Sequence, residues 1–262
     1  MSDSFFAGLG GTLSADIAVP EHERELRFYA RVLGTGESPL WREDLMNSHG
    51  HPIIGLGERV EAYAHLPLQW MPHFQVADVA TSAACALQLG GRELMHEKDD
   101  EGKSLWAVLQ DPNGAAFGII PVVAREALPS AEGTEPNAGG TPAGRIAWVD
   151  LTVPDALTSR AFYRQVVGWT AADDAGGRAA DSSMLGEGGT PAAGIHQLGD
   201  LAPDRPPVWI VHLPVGDLAE SLRRVHDEGG EVLTTLEDSH GAASAAVIQD
   251  PVGACLALVQ GG

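Results

Sequence analysis

Two aspartates and two histidines stand at matching places in a chain that nearly repeats itself. A shift of 134 residues lays Asp16 on Asp150, and a shift of 139 lays His73 on His212. A carboxylate beside an imidazole can do three kinds of work. The two can satisfy each other's hydrogen bonds as buried polarity. The carboxylate can orient the ring while the other ring nitrogen takes or gives a proton, which is general acid–base catalysis. With a second imidazole the pair becomes a two-histidine, one-carboxylate set able to hold a divalent ion. His65 and His196 are the candidates for that second ring. They correspond if Gly57 is laid on Gly188, and each is expected to end a strand. This third arrangement needs three side chains to converge, which spacing does not establish.

Other candidate sites carry weaker signals. The runs "GLGG" near the start and "GLGER" at Gly55 lack the strand-to-helix context of a nucleotide loop. "EKDDEG", Glu97 to Gly102, has acidic spacing that does not match an EF-hand and reads as a solvated turn. Ser182-Ser183 has no nucleophile-elbow motif, and His49 and His51 flank a glycine in an expected loop. Trp70 and Trp209 fall on the strand face expected to pack under a helix, whereas Trp41 and Trp106 have no assigned place.

These residues must be held by a scaffold, and the composition bounds it. The chain has 262 residues, 44% of them apolar and 20% charged, which suits a globular protein with an ample core. Its 36 acidic against 16 basic residues give a formal charge of -20. That sign repels phosphate backbones and anionic lipid, so nucleic-acid and membrane-surface roles are not expected. No apolar run approaches the ~20 residues that span a bilayer. "MSDSFFAGLGG" lacks the basic and apolar regions of a secretory signal, so a cytoplasmic location is the expectation. Cys85 and Cys255 have no CxxC partner, and their apolar contexts suit small buried residues.

The repeat sets the architecture. From Trp70 to Ile120 the 139-residue shift needs no gap: Trp70, His73, Asp78, Gly90-Gly91 and Gln110-Asp111-Pro112 fall on Trp209, His212, Asp217, Gly229-Gly230 and Gln249-Asp250-Pro251. The 134-residue shift lays Val19-Pro20, Phe28-Tyr29 and Gly34 on Val153-Pro154, Phe162-Tyr163 and Gly168. Within a copy, "LSADIAVP" alternates as a strand and "EHERELRFYARVLG" reads as a helix, acidic at its start and closed by glycine. "PIIGLG" and "EAYAHL" read as short strands. "QWMPHFQV" is another strand, and "DVATSAACALQLGG" is a helix capped by Asp78. "SLWAVLQDPNGAAFGII" reads as a hairpin turning at Asp-Pro-Asn-Gly. The Pro-, Gly- and Glu-rich stretch between the copies cannot bury a core and reads as a linker.

The pieces "VPDALTSRAFYRQVVGW", "VADVATSAACALQLGGRELM" and "LQDPNGAAFGII" resemble the glyoxalase/bleomycin-resistance/extradiol-dioxygenase, or vicinal oxygen chelate, superfamily. The resemblance implies an α+β fold: two tandem domains, each a pair of βαβββ modules whose curved mixed sheet surrounds a cleft. The expected ranges are 10–123 and 145–260, joined by a linker at 124–144. The motifs identify fold better than reaction.

The resemblance also implies where a metal would sit. Metal-using members carry a His or Gln on a module's opening strand, five residues before its closing Val, and a Glu seven residues after the Asp of DPxG. Those positions are Ser14, Met71 and Gly118 in the first half and Trp148, Ile210 and Ala257 in the second. None can supply an anionic or imidazole ligand. They are small or apolar, which suits an organic ligand, and Trp148 is expected to offer a stacking surface. Asp16, His73, Asp150 and His212 lie two residues further along the same strand faces, so an Asp–His pair is expected in each half.

Two functional classes follow. The first is a metal-free binder of a small organic molecule, in a sequestration, resistance or carrier role. It would be lined by Ser14, Met71, Gly118, Trp148, Ile210, Ala257, His65 and His196. The second is an enzyme of the same superfamily. It would be either a cofactor-free acid–base catalyst using the Asp–His pairs, or a metal-dependent dioxygenase, hydroxylase or lyase with a non-standard ligand set. No cofactor is expected, and a divalent metal could enter only through the displaced site. Nucleic-acid and membrane partners are not expected, and the chain reads as a monomer or homodimer.

Overall fold

The computed structural model describes residues 6–33, 45–46, 52–124, 146–172, 182–198, 206–237, 241 and 243–261. His49, His51, Trp41 and, apart from Ala124, the expected linker lie outside them.

Four modules follow one plan. The first has strand β1 (Thr12–Val19), helix α1 (His22–Leu33), β2 (Leu45–Met46) and β3 (Pro52–Glu58). The second has β4 (Met71–Val76), α2 (Val79–Gln88), β5 (Arg92–Lys98), β6 (Ser104–Gln110) and β7 (Ala116–Pro121). The third has β8 (Trp148–Val153), α3 (Ala156–Val166), β9 (Thr170–Ala171), β10 (Ser182–Leu185) and β11 (Pro191–Gln197). The fourth has β12 (Trp209–Val215), α4 (Leu218–Asp227), β13 (Glu231–Glu237), β14 (Ala243–Gln249) and β15 (Cys255–Gln260). In each, the opening strand pairs parallel with the closing one, β1 with β3, β4 with β7, β8 with β11 and β12 with β15. The crossover is the helix, as a parallel pair requires. No described helix is long and apolar enough to cross a membrane.

The helices start and face as their sequences direct. Asp78, Asp155 and Asp217 each accept the amide of the residue three places on, at 2.7, 3.0 and 2.9 Å. α1 buries Glu25, Phe28, Tyr29 and Val32, and α3 buries Phe162, Tyr163 and Val166, the spacing of one helical face.

The chain gathers into two compact units, each combining a module from each half of the sequence. One contains β4–α2–β5–β6–β7 with β8–α3–β9–β10–β11, and Trp209. The other contains β1–α1–β2–β3 with the fourth module, and Trp70. The same joint occurs in both. In the first unit Trp209 donates its indole N–H to the Tyr163 hydroxyl (3.0 Å), which donates to Asp111 of the β6–β7 turn (3.3 Å). In the second, Trp70 donates to Tyr29 (3.1 Å) and Tyr29 to Asp250 of the β14–β15 turn (2.6 Å). Trp70 and Trp209 thus pack on helix residues, edge-on to Tyr29 and Tyr163 at 5.4 and 5.2 Å. Asp111 also accepts the amides of Asn113 and Ala115, and Asp250 those of Val252 and Ala254. The repeated Gln-Asp-Pro motif is therefore a turn whose aspartate is clamped by the helix of the other half. Burial pushes both carboxyls above the ordinary range, against the pull of those hydrogen bonds.

Some sequence expectations change. "EAYAHL" is not a strand. Glu61–Tyr63 form a 3-10 turn, and residues 61–65 are all exposed, so alternation there has no core to face. The Arg59 guanidinium fixes the turn by donating to the carbonyls of Ala64 and Leu66 at 2.8 and 2.5 Å. Cys85 and Cys255 are partly exposed and not disulfide-bonded, rather than buried. Of Glu97–Gly102, the first two residues end β5 and the rest form the turn that follows, with Asp99 accepting the amides of Glu101 and Lys103.

Candidate functional site

The four candidate acid–base residues share a local arrangement. Strand register sets Asp16 opposite Gly55, His73 opposite Gly118, Asp150 opposite Gly194 and His212 opposite Ala257. The glycines are there because the polar side chains occupy their space. A methyl group on Gly55 would fall 2.3 Å from Asp16 Oδ1, and one on Gly118 would fall 2.1 Å from the His73 ring. One on Gly194 would fall 2.1 Å from Asp150 Oδ1 and 2.5 Å from His196 Nε2. No real Cβ tolerates such contacts, so each glycine is a cradle for a neighbouring strand's side chain. The space beside Gly118 is filled by the His73 imidazole.

The most developed cluster is in the third module. Trp148 and Asp150 are two residues apart on β8 and share a face, as do Gly194 and His196 on the adjoining β11. The Trp148 indole N–H donates to Asp150 Oδ1 at 2.7 Å, and His196 Nε2 lies 2.9 Å from the same oxygen. The contact between Asp150 and His196 is diagonal, from one strand to the next residue but one across the ladder. The carboxylate is thereby fixed between an indole and an imidazole. The cluster stays accessible, with the His196 side chain 41% and the Asp150 side chain 26% exposed.

Sequence spacing pairs Asp150 with His212, and the hydrogen bond to His196 is the finding it missed. The signal was Gly194, which leaves a gap opposite Asp150. His65 is not the counterpart of His196: β3 ends at Glu58, and His65 is exposed in the following turn. By strand register the residue matching His196 is Gly57. Laying Gly57 on Gly188 misplaces the comparison, since Gly188 belongs to a turn before β11. Of the remaining positions, Met71 and Ala257 are buried, while Ser14, Trp148 and Ile210 are partly exposed. Asp16, Ser14, His65, Ile210, His212 and Ala257 belong to the unit containing β1. Met71, His73, Gly118, Trp148, Asp150 and His196 belong to the other.

Residues 13–120 and 147–259 each match the family described as the glyoxalase-like domain. The chain belongs to the glyoxalase-like domain family. It is 31% identical over 195 residues to the anthracycline biosynthesis protein DauV of Streptomyces sp. (strain C5) and, to the same extent, to DnrV of Streptomyces peucetius. The match covers 74% of this chain and 66% of each relative, just under two thirds of their length. Among solved structures, the 2,3-dioxygenase LapB from Pseudomonas sp. KL28 superposes with a TM-score of 0.54 at 13% identity, covering 98% of this chain and 93% of that one. The Mn(II)-bound glyoxalase from Novosphingobium aromaticivorans gives 0.55 at 14% identity, over 97% and 83%. At such identities the likeness is one of fold, the α+β fold of the vicinal oxygen chelate superfamily.

The glyoxalase-like fold implies a divalent metal, and the residues at its positions do not fit one. Ser14, Met71 and Gly118 offer a hydroxyl, a thioether and no side chain, and the last space holds the His73 ring. Trp148, Ile210 and Ala257 offer an indole donor already directed at Asp150 and two hydrocarbons. With neither anion nor imidazole among them, nothing offsets the cost of dehydrating a divalent ion. Among the described residues, no group of three or more His, Cys, Asp or Glu side chains is placed to hold a metal.

Proposed function

We propose that this glyoxalase-like protein binds a small, planar organic molecule on the β8–β11 face, using Trp148 as a stacking surface and the Asp150–His196 pair as its polar anchor. The role is sequestration, resistance or transport, without the superfamily's usual metal. The observation that carries this reading is the donor set: all six expected ligand positions hold hydroxyl, thioether, indole or hydrocarbon groups, or nothing. The relatives named for anthracycline biosynthesis add a ligand class, fused aromatic rings bearing phenols and carbonyls. Such a ring system gains stacking from an indole and hydrogen bonds from an imidazole and a carboxylate.

The test is a titration of the purified chain with an anthracycline, followed by quenching of tryptophan fluorescence, alongside elemental analysis after purification without chelator. Saturable binding weakened about tenfold by Trp148→Ala, with substoichiometric metal, supports the proposal. Stoichiometric metal, or binding indifferent to Trp148, refutes it.

One observation favours a second reading, cofactor-free acid–base catalysis. The 2.9 Å contact of Asp150 with His196 orients an accessible imidazole as a proton carrier would need. Under this reading His196→Gln abolishes turnover of a bound ligand while leaving its affinity within a few-fold. Replacing His73 and His212 together tests the pairs suggested by spacing. Under the binding reading neither change removes binding.

A further inference from the structure

The joint shared by the two compact units differs in one detail. In the unit with β6–β7, the Asn113 side-chain amide donates to the Ser159 hydroxyl on α3 at 2.9 Å, beside the Tyr163–Asp111 bond. In the other unit Val252 stands where Asn113 would be and Glu25 where Ser159 would be. Glu25 is fully buried on the inner face of α1, and neither of its carboxyl oxygens meets a donor. It lies against Asp250. Asp250 is already engaged, Oδ1 by the amides of Val252 and Ala254 and Oδ2 by the Tyr29 hydroxyl.

Two buried carboxylates without a donor between them repel each other, and neither is solvated. A single proton resolves both problems, because a protonated carboxyl is a donor and its neighbour an acceptor. We propose that Glu25 holds a proton that it donates to Asp250, forming a carboxyl–carboxylate latch between α1 and the β14–β15 turn that opens when the proton leaves. The latch belongs to one unit only, since Ser159 cannot titrate, and it shares no residue with the β8–β11 site.

The neighbouring charges are consistent with this. Just before α1, Glu21 lies four residues ahead of Glu25 and adds negative charge, while Arg24 on α1 partly offsets it. Tyr29, one turn after, is itself pushed well above its usual range by burial and by Asp250. At the end of α4, Glu228 pairs with Arg31 (2.9 Å) and Arg27 (3.8 Å), and Arg224 of α4 donates to the Arg31 carbonyl, all beyond Glu25 along α1. β3 brings Glu58, and β14 and β15 bring no charged side chain. Burial first, then the Asp250 charge, raises Glu25 from 4.5 to about 8. A raised folded-state value means that the stabilisation is complete below about 4.5 and is lost as pH rises through about 8.

The experiment compares the full chain with Glu25→Gln and with Glu25→Ser, the latter carrying the residue found at the matching place on α3. Infrared difference spectra between about pH 6 and pH 10 should show a protonated carboxyl band in the wild type that vanishes with a midpoint near 8 and is absent from both variants. The wild-type unfolding midpoint should fall between about pH 4.5 and pH 8 and level off above it, and both variants should lack that fall. A wild type without the band, or variants with a parallel pH profile, would overturn the latch. Stabilisation of the wild type alone by a divalent cation would overturn it too, by making the pair a cation site. If neither variant folds, the wild-type infrared titration decides by itself.

Discussion

Replacing Gly194 by alanine places a methyl group 2.1 Å from Asp150 Oδ1 and 2.5 Å from His196 Nε2. Backbone on both sides is fixed in the β8–β11 ladder, so the side chains must move. Moving Asp150 breaks two hydrogen bonds at once, from Trp148 at 2.7 Å and with His196 at 2.9 Å. Each is worth about 0.5–1.5 kcal/mol net, so the change costs about 1–3 kcal/mol, toward the lower end because the groups are partly exposed. For a chain of this size that is a fall of roughly 2–8 °C in unfolding midpoint. Gly57→Ala is the internal control. It sits on β3 at the place matching His196, and an added methyl group there meets nothing within 4 Å. Its midpoint should move by no more than about 0.5 kcal/mol equivalent. Calorimetry of both variants, with Trp148 emission as a local probe, gives the comparison. If Gly194→Ala matches Gly57→Ala in stability and leaves the indole environment unchanged, the cradle has no energetic content and the cluster is not held as described.

Two further outcomes follow from the joints and caps. Tyr29→Phe and Tyr163→Phe each strand a buried indole N–H and remove a donor from a buried aspartate, costing about 1–3 kcal/mol in urea denaturation. Tyr29 should cost more, since its bond to Asp250 is 2.6 Å against 3.3 Å for Tyr163 to Asp111, and equal losses would contradict the geometry. The caps should titrate in the opposite sense to Glu25. Hydrogen bonds from Thr81 and Thr158 lower Asp78 and Asp155 below 3.8, so their stabilisation is present above that value and is lost as pH falls through the depressed one. Asp78→Asn together with Asp155→Asn should flatten the acid limb of a pH–stability curve, and an unchanged limb would contradict the assigned shifts.

Local features of the fold were legible because short-range physics decides them. An aspartate at a helix start, a Gly past its end and an Asp-Pro-x-Gly turn each need only their neighbours. The partnership of modules was not legible. A repeat says which residues correspond, but not which module packs on which. The clamp of Asp111 by Tyr163 and of Asp250 by Tyr29, each crossing between halves, is invisible in either half alone. The site shows the same division. Asp150 could be found by its spacing, but its contact with His196 depends on the β8–β11 register, which the alignment of Gly57 with Gly188 got wrong. Glu25 could have been noticed as a carboxylate on the buried face of an amphipathic helix, matched by a serine in the other copy.

The duplication therefore separates scaffold from chemistry by a simple test of agreement. Where the halves agree, in Trp70 and Trp209, Tyr29 and Tyr163, and Asp111 and Asp250, the residues form the joints, one set in each unit. Even Asp16 and Asp150 agree down to the glycine opposite each. Where the halves differ, one copy has been freed to specialise. Ser14 faces Trp148 across the repeat, Gly57 faces His196 and Glu25 faces Ser159. The first two differences combine to surround Asp150 with an indole and an imidazole while leaving Asp16 with neither of those two counterparts. Two equal copies of one site would have kept these positions alike. Their divergence is what the proposed binding of a small molecule on the β8–β11 face expects. A double exchange, Trp148→Ser with His196→Gly, should then abolish binding, whereas the reciprocal Ser14→Trp with Gly57→His should leave it unchanged.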